Sequence, residues 1–102
     1  MDNIIINGLE IMSQDIPGVM PWTSVPNVLL SLGGVGWRLP YEEEFKIIYN
    51  LKNLGIGNIK PEKYWSFSSV GNKAWYYNMG VGYSPHIVSV TELYNVRLLR
   101  PQ

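Results

Sequence analysis

Gly36-Trp37-Arg38-Leu39-Pro40, running directly into Tyr41-Glu42-Glu43-Glu44-Phe45, is the stretch whose reading decides the fold. Gly33, Gly34 and Gly36 end one apolar segment, Trp37 and Leu39 supply large apolar side chains, and Pro40 fixes the entry to a helix with an acidic first turn. Two later blocks echo it, Tyr64-Trp65-Ser66 and Val96-Arg97-Leu98-Leu99-Arg100. This is an order for building a small α+β domain, and it contains no catalytic apparatus.

Downstream of Pro40, the spacing of Phe45, Ile48, Leu51 and Leu54 predicts a helix from about Tyr41 to Leu54, stopped by Gly55. Glu42, Glu43 and Glu44 lie at the positive end of its dipole, which explains the acidic run without an acid/base role. Upstream, Val25, Val28, Leu29 and Leu32 predict a shorter helix, capped by Thr23 or Ser24, with Pro26 in its first turn and Gly33-Gly34 as its stop. Before it, Asn3–Ile6 and Leu9–Met12 read as a hairpin around Asn7-Gly8, and residues 13–21 as a loop. After Pro61 the composition turns aromatic and β-branched. Lys63–Ser69, Lys73–Met79, His86–Val90 and Tyr94–Arg100 read as strands of one sheet, separated by Gly71-Asn72, Gly80-Val81-Gly82 and Thr91-Glu92.

A chain of 102 residues is read as one domain, residues 1–102, able to fold without staples, and it has no cysteine. Eight basic groups balance eight acidic ones, so no overall field attracts nucleic acid or an anionic membrane. The charges are segregated along the chain. Residues 1–45 hold one basic and six acidic groups, net −5, and residues 46–102 hold seven basic and two acidic, net +5. The two halves are therefore expected to lie together with their charges paired at the surface. No apolar stretch is long enough to cross a bilayer, and the start at Met1-Asp2-Asn3 has neither the basic residues nor the cleavage site of a signal peptide, which reads as a soluble chain with a natural start. His86 is the sole histidine, so no His-His or His-Cys metal site can form within one chain, and its expected role is at most a loop-edge contact.

Gly36-Trp37-Arg38-Leu39-Pro40, Tyr64-Trp65-Ser66, Ala74-Trp75-Tyr76 and Val96-Arg97-Leu98-Leu99-Arg100, with Met20-Pro21-Trp22 before the first helix, together resemble the Lcl-type C-terminal domain of bacterial collagen-like adhesins. The resemblance extends from Leu9 to Arg100. It implies a C-type-lectin-like fold with an N-terminal hairpin, two helices and a twisted antiparallel sheet, and a kinship with retroelement-diversified receptor-binding proteins of phages and bacteria. It also implies that Arg38 and Arg97 are framework residues tying loops and strand ends together. Tyr41 stands where that family commonly has a capping threonine, which shifts the expected helix start by a residue or two. The calcium-binding sequences of larger lectin-like domains, Glu-Pro-Asn and Trp-Asn-Asp, are lacking, so binding is expected to be calcium-independent, with no metal or cofactor. Formylglycine-generating enzymes share the fold, but their chemistry needs cysteine.

Strand alternation, with Trp65, Phe67, Trp75, Tyr77 and Met79 inward, turns Tyr64, Ser66, Ser68, Tyr76 and Asn78 outward. Asn72, Tyr76, Asn78, Tyr83, Ser84 and His86 then form a ligand-binding candidate with the composition of a paratope. Read alone, such residues simply populate strands and turns; the resemblance favours recognition of a protein or glycan. The other reading is a structural, virion-assembly or decoration subunit, packing through the same surface against further copies. An enzyme comes third, for want of a nucleophile–base pair. By resemblance the location is a cell surface, the extracellular space or a virion, with no nucleic-acid partner and no membrane insertion. Trp37, Leu39, Trp65, Trp75, Val96 and Leu98 are expected to converge on one core cluster.

Overall fold

The computed structural model describes residues 2–80 and 82–102, leaving Met1 and the middle of the expected Gly80-Val81-Gly82 turn outside the description. The architecture is α+β, with two helices and two antiparallel three-stranded sheets. The first hairpin pairs β1 (Ile4–Ile6) with β2 (Leu9–Ile11). Its turn uses Asn7 at φ 52° and Gly8 at φ 74°, the backbone that an Asn-Gly pair adopts most readily. A 3-10 turn at Trp22–Ser24 leads into α1 (Val25–Ser31), with Pro26 in its first turn and no side-chain cap from Ser24.

Helix α2 (Glu42–Asn53) starts one residue after Tyr41 for a visible reason. The Glu44 carboxylate accepts the Tyr41 backbone N–H at 2.7 Å, while the Glu44 N–H donates to the Tyr41 carbonyl at 3.1 Å. Glu44 thus supplies its own half of a capping box, and the Tyr41 carbonyl takes the Glu44 N–H that a threonine hydroxyl would otherwise accept. Its other partner is Arg38, which grips it by two parallel bonds of 2.7 and 2.8 Å and also donates to the Leu39 carbonyl. Burial alone would raise the Glu44 pKa, but the Arg38 and Tyr41 donors outweigh it and hold the carboxyl below its usual range.

The second sheet runs β3 (Lys63–Val70), β4 (Lys73–Asn78), β5 (Ser84–Ser89) in that spatial order. It divides the interior into two cores. On one side Tyr64 and Tyr77 pack with Phe45, Ile48 and Leu51 of α2 and with Leu9, Ile11 and Leu99. On the other, Trp65, Ala74 and Tyr76 pack with Val25, Leu39, Val96 and Leu98. Both faces of the sheet are covered at its centre, so Tyr64, Trp65 and Ser66 are consecutive and all buried. The expected in/out alternation fails for that reason. Tyr64, Ser66 and Tyr76, expected outside, are inside; Phe67, expected inside, is 49% exposed. Leu39, Trp65, Val96 and Leu98 do converge, with Trp37 partly buried against them, but Trp75 lies outside the cluster.

The expected final strand is also corrected. Only β6 (Leu99–Pro101) is a strand, and it pairs with β2 rather than with the second sheet. Residues 94–98 are instead clipped by the loop before α1, where Met12, Ile16 and Met20 donate their N–H groups to the carbonyls of Leu98, Val96 and Tyr94. Donors four residues apart meet acceptors two residues apart, so the contact is extended and hydrogen-bonded without forming a ladder. Beneath it, Arg97 is 1% exposed and donates to Asp15 Oδ1 at 2.8 Å, to the Met12 carbonyl at 2.9 Å and to the Asn58 carbonyl at 3.2 Å. Arg97 therefore ties two loops to the end of β2, whereas the Arg38 side chain ties its loop to the first turn of α2.

Candidate functional site

Register in β3–β4–β5 places the expected site residues. Trp65 pairs with Tyr76 and Tyr76 with His86, forming an aromatic row across one face; Lys63 pairs with Asn78 and Asn78 with Ser84, forming a polar row beside it. Cross-strand partners leave the same face about 5 Å apart, so each row is a set of neighbours. Tyr76, Asn78, Ser84 and His86 are thus brought together. Tyr76 is 7% exposed, and it serves as the floor of this surface rather than as a protruding contact. The exposed His86 ring stacks on it at 5.0 Å and 20°, with Ser84 Oγ 3.4 Å from His86 Nε2.

Two expected residues stand elsewhere. Asn72 is in the β3–β4 turn, about 20 Å from Asn78 along β4, and its carbonyl accepts the Val90 N–H. Tyr83 has φ 45°, and its half-buried ring packs against the α2 core, 5.3 Å from Tyr49. Tyr83 therefore does not join the Tyr76, Asn78, Ser84 and His86 face.

Lys63 and Tyr94 complete the site, and sequence reading missed both. The Gly71-Asn72 turn alone would set Trp65 opposite Asn78. A bulge between Trp65 and Ser69 shifts the register by two residues and brings Lys63 there instead. Tyr94 arrives through its bridge to Met20, and its ring lies 4.6 Å from Tyr76 and 4.8 Å from Trp65. The Lys63 ammonium is 5.3 Å from the Tyr76 ring and 5.4 Å from the Tyr94 ring, held by their π faces. Burial, then the nearby Tyr76 and Glu92, push the Tyr94 hydroxyl above its ordinary value, so it is neutral at neutral pH.

The polar row opens into a cleft of about 350 Å³. Its polar wall is Glu62, Lys63, Asn78 and Asn95, and its apolar wall is Val19, Pro61, Leu93 and Tyr94. Asn78 Oδ1 accepts the Gly80 N–H at 2.9 Å, which orients the amide. Asn95 Nδ2 donates to Glu62 Oε1 at 3.0 Å and to the Lys63 carbonyl at 3.0 Å, fixing the back of the cleft.

On the opposite face of the sheet Trp75 stands half-exposed in a groove of about 280 Å³ with Glu42, Ser66, Ser68, Tyr77 and Pro85. Burial, helped by Glu42 and Glu43, pushes the Tyr77 hydroxyl up to about 12, so this groove presents neutral hydroxyls beside one carboxylate. Among the described residues no group of three or more His, Asp or Glu side chains converges, and no helix is long and apolar enough to cross a membrane. Compared with protein-family models and with curated proteins, the chain matches none.

Proposed function

We propose that this chain is a non-enzymatic binding module of C-type-lectin-like fold, of the adhesin or receptor-binding type, that presents the Tyr76, Asn78, Ser84 and His86 face to a protein or glycan ligand. The observation that carries the reading is the aromatic row backing a polar row on adjacent strands. The exposed His86 ring, stacked on the buried Tyr76, gives rigid contact area at little entropic cost, and the neighbouring Asn78 amide and Ser84 hydroxyl give directional hydrogen bonds, which together are the means of recognition. The lectin-like part of the reading is supported by the N-terminal hairpin, the two helices and the antiparallel sheet that carries the candidate surface. A cell-surface or virion location follows from the same resemblance.

One observation favours the other reading, a structural or assembly subunit. β5 is an edge strand with no Lys, Arg, Asp or Glu, and Ile87 on it is 41% exposed, so it lacks the usual charged guard against edge pairing. A glycan and cell-surface protein array with Asn78→Ala and His86→Ala, run beside the solution mass of the domain, separates the two. Array binding lost in both variants by a monomeric, folded domain supports recognition. A stable oligomer whose array signal is indifferent to both substitutions supports assembly.

A further inference from the structure

We propose that the cleft between Lys63, Asn78 and Leu93 takes the free C-terminal carboxylate of a peptide whose last residue is apolar; the proposal rests on the binding-module reading and names one ligand class for it. Two donors converge there by register, since Lys63 and Asn78 are direct cross-strand partners. The orientation of the Asn78 amide is decided by its Oδ1, which is engaged by the Gly80 N–H, so Nδ2 is the atom offered outward. Lys63, like Lys46, Lys52 and Lys73, makes no ion pair among the described residues, and of these four it is the one that lines the cleft. The Tyr76 and Tyr94 rings fix its ammonium without neutralising it. One cation beside one amide donor matches the two oxygens of a single carboxylate.

Glu62 decides between anions. Its Oε1 is taken by Asn95, and its other oxygen makes no further hydrogen bond among the described residues. A sulfate, a phosphate or a polyanionic chain would bring repeated negative charge against it. A peptide end instead brings a backbone N–H next to its carboxylate, which Glu62 can accept. Leu93 is 56% and Val19 51% exposed on the same wall, apolar surface that a terminal aliphatic side chain would cover. The approach of the walls is also built in. A Cβ at Gly80 would stand 2.9 Å from the Pro61 carbonyl oxygen and 3.2 Å from Asn78 Oδ1, so only glycine lets these two sides come together.

The test is a titration of the ¹⁵N-labelled domain with N-acetyl-Gly-Leu as the free acid, with the same dipeptide as its C-terminal amide, and with sodium sulfate. The free acid is expected to shift the amides of Lys63, Asn78, Leu93 and Tyr94 saturably at millimolar concentration, with the amide form and sulfate at least tenfold weaker. Lys63→Gln should weaken the acid at least tenfold while its spectrum stays dispersed, because Lys63 is exposed. Equal shifts from acid and amide, sulfate binding as tightly as the acid, or no shift at these residues would each overturn the inference. Failure of the peptide with array binding intact removes this inference alone; peptide binding with no array ligand sensitive to Asn78 or His86 removes the wider surface reading and leaves the cleft.

Discussion

Arg97 fixes two separate segments from a fully buried position, with Met12 and Asp15 of the loop before α1 and Asn58 of the loop after α2 as its three partners. An ammonium on a lysine stem has no planar fork with which to reach all three. Arg97→Lys should therefore lower stability by about 2–3 kcal/mol in urea unfolding, even though it keeps a positive charge at position 97 and Lys60 lies 3.8 Å from Asp15. Glu44 offers a pH test. Its folded pKa is held below the unfolded value, so its contribution is fully present above the ordinary glutamate range near about 4.3 and is lost as pH falls through the folded value. Glu44→Gln should cost about 1.5–3 kcal/mol at pH 7 and flatten the acid limb of the stability profile below about pH 4. A variant with the same acid limb as the parent would assign that limb to other carboxylates. Arginine chemistry in the two framework blocks was legible in the sequence; the partners were not, because Asp15 lies 82 positions from Arg97 and no local pattern joins them.

Strands and helices differ in how far their own residues announce them. The α2 bounds lie within a residue of expectation at each end, since one apolar stripe at helical spacing has only one buried solution. The central sheet is harder. With both faces covered, aromatic residues at odd and even positions are equally acceptable, and alternation alone assigned Trp75 and Tyr76 to the wrong sides. Trp65→Ala should cost about 3–5 kcal/mol, since the ring is fully buried and its Nε1 donates to the Met20 carbonyl at 2.7 Å. Trp75→Ala should cost under about 2 kcal/mol, because its half-exposed ring lines an open groove. Thermal or urea unfolding of the pair checks the assignment, and equal losses would put Trp75 back in a core. The candidate cleft depends on the bulge before Ser69, a feature of pairing that neither strand reveals by itself.

Across the whole molecule the segregated charges meet, but not all at the surface as expected, since the Arg97–Asp15 pair is buried. Arg97 and Lys60 reach back to Asp15 and Arg100 to Glu10, joining the basic half to the acidic one; Arg38–Glu44 stays within the first half. The final strand did not read correctly in advance, because its partner β2 is separated from it by most of the chain and its own composition suits either sheet. That placement has a mechanical consequence. β1 and β6 both run antiparallel to β2, hence parallel to each other, with Ile4 level with Leu99 and Pro101 level with Ile6. Tension applied between Asp2 and Gln102 pulls the start of β1 and the end of β6 in opposite directions along their axes, shearing both ladders so that their hydrogen bonds bear force together. Pulling instead between Gly8 and Gln102, which share one end of the sheet and a 2.8 Å hydrogen bond, peels the strands apart a pair at a time. Single-molecule stretching should find a clearly higher rupture force for the first geometry than for the second, and equal forces would mean that some other part of the molecule gives way before this sheet does.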